Sequence, residues 1–280
     1  MWRLALYVVA LYAGWMIAGG LLYPLAAGVA RGAGVRPELS AWLTLFAAAF
    51  ATVLLVRRVE RRPWADVGLD DRAARPGLLL RGAALGALPI LLPSLVLLAA
   101  GVLRAQPAPD PTPAAWVDGA LRTLWVLVPA ALFEELLVRG YPLLVLRESA
   151  GTVVALVATS LVFGLLHAQN PGATVASVLV VSLAGIFLGA VRLATGSLWA
   201  AFSAHLAWNF VLSGVLHAAV SGTAFPTPGY RVVDAGPDWL TGGAWGPEGG
   251  VPAAAGMLTV LWWLQRGRGA RRALAATTTA

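Results

Sequence analysis

Apolar runs about as long as a bilayer's hydrocarbon core is thick recur along nearly all of the 280-residue chain, and they restrict its fold more than any other feature. They lie at roughly 4 to 29, 39 to 56, 78 to 103, 118 to 146, 152 to 169, 172 to 193, 196 to 217 and 251 to 265. A helix satisfies its own backbone N–H and C=O groups, which hydrocarbon cannot do for it. The expected fold is therefore all-α: a polytopic integral membrane protein of about eight transmembrane helices, forming one domain over 1–280. With 59% hydrophobic and 12% charged residues, the chain lacks the polar surface of a water-soluble globule. The first run follows Arg3 and ends in small residues, as a signal peptide does, but its length and its continuation into a second span favour retention.

All 20 basic residues are arginine. Fifteen of them, including Arg3, Arg57, Arg62 and Arg266, fall at one set of span ends, and five (Arg31, Arg36, Arg104, Arg122 and Arg231) fall at the other. Positive charge stays on the cytoplasmic side, so both termini are expected there, as an even number of spans requires. Segment 57–77 is the main cytoplasmic loop, basic enough to lie against anionic lipid headgroups. Membrane lipids are thus expected partners. Nucleic acid is not, because no compact basic domain remains to bind it. The Gly/Pro-rich extracytoplasmic loop 218–250 carries Tyr230, Trp239 and Trp245, and reads as an interfacial anchor ahead of a lid. His217, at the end of its span, reads as interfacial too. Gly185 and Gly189 form a small-xxx-small face suited to close helix packing. The absence of cysteine excludes disulfides, thiolate catalysis and cysteine-ligated metals.

Against this background the stretch "ALFEELLVRG" is anomalous. Glu134, Glu135 and Arg139 together oppose insertion by about 8 kcal/mol, whereas the apolar residues of the same span return about 5. That face must turn toward protein or water. Glu135 and Arg139 are four apart and share a helix face, which suits an internal ion pair. Glu134 lies a quarter-turn away and needs partners from other helices. Two of the three histidines are within spans, His167 with Phe163 four residues before it and His205 with Asn209 four after it. Singly, each is commonly interhelical hydrogen-bonding glue. Together, ionisable groups gathered on three spans mark a functional site.

The set is coherent for amide hydrolysis without a covalent intermediate. A glutamate among helices can activate water, a histidine can hold that water or protonate the leaving amine, and a second histidine with an asparagine amide can stabilise an oxyanion. There is no His-Glu-x-x-His zinc signature and no intramembrane aspartate pair, and Ser203 and His205 are two apart on different faces, which disfavours a serine dyad. The three groups stand at unequal depth, His167 roughly 10 Å off the centre of its run at 1.5 Å per residue, so a tilted or shorter fifth span is needed.

Glu134-Glu135-x-x-x-Arg139, Phe163-x-x-x-His167 and His205-x-x-x-Asn209 resemble, in order, the three motifs of the CPBP family, the CAAX protease and bacteriocin-processing enzymes also called the ABI family. The resemblance covers about 118–217, the catalytic core helices, with Val138 where many members carry Phe. It implies an eight-helix membrane endopeptidase, related to the enzyme that trims prenylated CAAX proteins and resident in a bacterial cytoplasmic membrane, acting on a hydrophobic or lipidated peptide. By this resemblance Glu134 activates water with help from His167, His205 and Asn209 form the oxyanion site, and Glu135, Arg139 and Phe163 support them. No cofactor is expected. Were the enzyme metal-dependent, zinc would sit on Glu134, His167 and His205. The alternative function is a non-catalytic membrane scaffold on the same fold.

Overall fold

The computed structural model describes residues 2–32 and 38–277. Of the arginines counted above, Arg36 lies outside the described residues, as do the side chains of Arg31, Arg268, Arg271 and Arg272. Helix α1 (Trp2–Ile17) runs through a π-helical turn, Ala18–Leu22, into α2 (Tyr23–Gly32). Then follow α3 (Ser40–Val53) with a π-helical end to Val59, α4 (Pro76–Ala99), α5 (Pro113–Arg139), α6 (Tyr141–Leu166), α7 (Val175–Thr195) and α8 (Leu198–Phe210) with a π-helical end to Val215. A short α9 (Asp238–Thr241) precedes α10 (Val251–Thr277). Among the described residues six helical segments are long and apolar enough to cross a membrane: Trp2–Ala30, Ser40–Val59, Pro76–Ala99, Pro113–Leu166, Val175–Thr195 and Leu198–Val215. This is consistent with an integral membrane protein. The eighth apolar run is helical as well, as α10, but is not among the six.

The 54-residue segment Pro113–Leu166 is not one rod. Helix α5 stops at Arg139, not at 146 as the apolar pattern suggests, because Gly140 leaves the helical region (φ −81°, ψ −125°) and Pro142 cannot donate into a continuing ladder. Within α6, Gly151 at φ 84°, ψ 168° interrupts the helix a second time, in a conformation that only glycine adopts freely. Beyond it the chain returns alongside α5. The Arg139 guanidinium lies 4.1 Å from the Phe163 ring, and these two residues are each twelve positions from Gly151. The pair is thus a hairpin that turns at Gly151, and Glu134, 17 residues before the turn, comes level with His167, 16 after it. Here is the shortened fifth span that the depth mismatch demands.

Small residues let the remaining helices close around this hairpin. A Cβ on Gly185 of α7 would stand 2.8 Å from Ser160 of α6, and one on Gly189 would stand 2.3 Å from Leu156, so the two helices are antiparallel and nearly touch. Cβ atoms on Gly82 and Gly86 of α4 would meet Ala200 O at 2.2 Å and Ala204 O at 1.9 Å, which makes α4 and α8 parallel. This contact fixes the depth of α8 and with it that of His205. On its other side α4 packs antiparallel to α10, Gly256 facing Pro89 and Trp263 facing Arg81.

The two ends of the bundle differ. At one, Glu60 takes Arg3 Nε at 2.6 Å and Arg62 Nε at 2.7 Å, and Glu148 takes Arg3 Nη1 and Arg62 Nη1, each at 2.7 Å. Tyr141 also donates to Glu60. At the other, the third run ends early. Leu103–Pro107 forms strand β1, antiparallel to β2 (Tyr230–Asp234), with Leu103 opposite Asp234. The sequence pattern did not anticipate this ladder. It folds the 218–250 loop back onto the bundle, so Trp245 is 1% exposed within the core while Trp239 stays in the open. His217 is buried against the same ladder, its Nδ1 donating to Tyr230 O at 2.8 Å and its ring stacked on that of Tyr230.

Candidate active site

Three segments converge midway through the bundle: the last turns of α5, the C-terminal end of α6 and the middle of α8. Glu135 is wholly buried. Its Oε1 accepts from Arg139 Nη1 at 3.2 Å, one turn on, and from His205 Nδ1 at 3.0 Å. Arg139 is equally buried, donates through Nη2 to Gly185 O at 3.2 Å and covers the Phe163 ring. A carboxylate and a guanidinium that would each be costly in hydrocarbon thus neutralise each other inside the protein. The helical spacing gives the Glu135–Arg139 contact. The bond to His205 is an addition that sequence alone does not reveal.

Glu134 has no such partner. Its Oε2 is buried without a hydrogen bond among the described residues, and it stands 3.8 Å from His167 Nε2 and 3.8 Å from His205 Nε2. Both distances exceed a direct hydrogen bond but match groups that share a water. The rings are oriented from behind. His167 Nδ1 donates to Phe163 O at 2.8 Å, and His205 Nδ1 donates to Glu135, so each ring turns Nε2 toward Glu134. Phe163 also fills the space between the rings, with centroids 4.9 Å from His167 and 5.8 Å from His205. Asn209 lies one turn beyond His205. Both line a cavity of about 30 Å³, which they share with His167, Phe163 and Trp208 and which is large enough for one or two waters.

All seven side chains singled out in the sequence are therefore in one neighbourhood. Sequence reasoning missed Trp208, Ser221 and Glu248, which line the same cavity. Trp208 carried a signal, adjoining Asn209 in "HLAWN". Glu248 carried none, as a lone acid in "GPEGG". A zinc ion could use two imidazole Nε2 atoms and a carboxylate. Glu134 Oε2 stands 3.8 Å from both of those nitrogens, although among the described residues no group of three His, Cys, Asp or Glu side chains is close enough to hold a metal ion as it stands.

Fold and site define the class: a helical membrane protein with a buried carboxylate–imidazole centre suited to hydrolysis. Residues 116–211 match the family model for Rce1-like type II CAAX prenyl endopeptidases. The chain thus carries a domain of that family, a family of membrane proteases, and the match spans α5 to α8 with every motif residue named above. No curated protein and no solved structure matches the chain.

Proposed function

We propose that the chain is an intramembrane endopeptidase which hydrolyses a peptide bond in a hydrophobic or lipidated, membrane-associated peptide, with Glu134 as the general base. The observation that carries this reading is the unpartnered Glu134 Oε2, buried and 3.8 Å from two imidazole nitrogens that the protein has aimed at it. Glu135 fits the role less well, because it is wholly buried with Oε1 held by Arg139 and His205, and no imidazole Nε2 faces it.

A water between Glu134 Oε2 and His167 Nε2 gives its proton to Glu134 as its oxygen attacks the scissile carbonyl carbon. The carbonyl π bond becomes the oxyanion, which the Asn209 amide and a protonated His205 Nε2 stabilise. Glu135 on Nδ1 steadies the imidazolium this requires. The C–N bond then breaks, and the proton held by Glu134 passes to the leaving amine. No covalent intermediate forms, and the glutamate ends as it began. Protein groups alone complete the cycle.

The contact pattern also supports eight crossings, counting the two arms of the Gly151 hairpin separately and including α10. With α4 parallel to α8 and antiparallel to α10, both termini fall on the side of Arg3, Glu60 and Arg62, the cytoplasmic side by the distribution of arginine. The test of function is N- and C-terminal peptide mass spectrometry of membranes from cells expressing the wild-type chain or Glu134→Gln at matched abundance. Loss of a general base lowers turnover by about 10²–10⁴-fold, so termini present with the wild type should vanish in the variant. Identical termini in both would overturn the assignment.

A further inference from the structure

A carboxylate from outside the matched segment reaches the same cavity. Glu248, in the strap between β2 and α10, is 7% exposed and shares the cavity lining with His167, His205 and Asn209. Its three partners are all neutral donors: Trp208 Nε1 to Oε2 at 2.8 Å, and Ser221 N and Oγ to Oε1 at 2.5 and 2.8 Å. Trp208 lies on α8, three residues after His205 and one before Asn209, just ahead of the π-helical turn. Ser221 is held from the opposite side, its carbonyl accepting from Asn170 Nδ2 at 3.1 Å, and Asn170 is three residues beyond His167. One carboxylate thus joins both histidine-bearing segments, α8 through Trp208 and the turn after α6 through Ser221 and Asn170.

We propose that Glu248 is a positioning residue for the hydrolytic site, tying the segment that carries His205 and Asn209 to the one that carries His167 and so fixing the separation of the two imidazoles. Its placement in this role rests on the functional reading above. Neither the His167 nor the His205 ring is bonded to the other, and each is oriented only within its own surroundings, by Phe163 O and by Glu135. Phe163 packs against both rings, and the bridge through Glu248 is the hydrogen-bonded link that spans the gap. A displacement of about 1 Å at such a site lowers turnover greatly even when nothing touching the substrate has changed.

The chain's three histidines make the test clean. Full-length protein with ¹⁵N-labelled histidine in nanodiscs is compared as wild type, Glu248→Gln, Trp208→Phe and the double variant. Cleavage is followed on internally quenched peptides ending in a CAAX box, with and without a farnesyl group. In Glu248→Gln, kcat should fall about tenfold with KM within about twofold. The imidazole resonances of His167 and His205 should move while those of His217, held by Tyr230, stay in place. The double variant should be no worse than the poorer single one, because both act through one bond. Wild-type kcat with unmoved resonances would overturn the proposal. So would a change in KM alone, which would make Glu248 a substrate contact, or a uniform loss of Tm with all three histidines displaced. The nuclear resonance arm needs no turnover. If Glu134→Gln cleaved as well as wild type, the hydrolytic reading would fail while the bridge could still be judged.

Discussion

Replacing Arg139 with methionine should destabilise the protein far more than replacing Arg139 and Glu135 together. In the single variant Glu135 keeps its charge, stays fully buried and retains only His205 as a partner, since its Oε2 already lacks one. Stranding one member of a buried pair costs about 3–5 kcal/mol, whereas exchanging both for neutral groups of similar size is often close to neutral. At about 2–4 °C per kcal/mol for a chain of this order of size, Tm should fall by roughly 6–20 °C in Arg139→Met and recover most of that in Glu135→Gln/Arg139→Met. Intrinsic fluorescence from the 12 tryptophans reads the transition in detergent or nanodiscs. The double variant should remain catalytically poor, because His205 loses the carboxylate that steadies its imidazolium, an effect of up to about 10⁴-fold in a comparable couple. A double variant as unstable as the single, or a single as stable as wild type, would refute the argument that the two charges exist to neutralise each other.

Gly151→Ala tests the hairpin. A Cβ there meets nothing within 4 Å, so the penalty is conformational, about 1–3 kcal/mol, and should appear as a lower Tm with kcat unchanged in the folded fraction. An unchanged Tm would show that the turn does not depend on that backbone geometry. Glu60 links stability to pH. Burial opposes its charge, but hydrogen bonds from Arg3, Tyr141 and Arg62 outweigh burial and hold its carboxyl below the usual range. Its contribution is therefore full above the ordinary carboxylate pKa and is lost as pH falls through the lowered one. The Tm difference between wild type and Glu60→Gln, clear at pH 7, should shrink as the medium is taken below about pH 4. Cleavage by the wild type should also survive dialysis against a chelator, and activity lost to the chelator and restored by zinc would instead assign Glu134, His167 and His205 to a metal.

What the sequence reveals here is what is local. Spans follow from runs of apolar residues, and the motifs follow from i,i+4 spacing, which places Arg139 on Glu135 and Phe163 beneath His167 without tertiary information. Failures begin where backbone angles overrule hydropathy. "LLVRGYPLLVL" is apolar enough to read as one helix, and only Gly140 and Pro142 mark its end. That residues 17 before and 16 after Gly151 become level could not be read from composition at all. His205 on Glu135 is a contact across 70 positions. The aromatic residues of loop 218–250 suggest an interface, yet the β1–β2 ladder folds that loop inward and buries Trp245, and pairing between segments more than 100 residues apart leaves little local trace.

Two adjacent glutamates in a helix point about 100° apart, and this divergence is why the pair divides its work. Glu135 faces Arg139 and His205 and becomes part of a buried, charge-compensated support. Glu134 faces the gap between two imidazoles, with Oε2 unbonded and 3.8 Å from each Nε2. Glu134, with 23% of its side chain exposed, is the member of the pair that retains access to solvent. The insertion penalty of about 8 kcal/mol read from the sequence is therefore offset unequally. Most of it disappears into the Glu135–Arg139 pair, the Gly185 carbonyl and the Phe163 ring. The remainder is carried by Glu134, which faces the two imidazoles with Oε2 left free for a water.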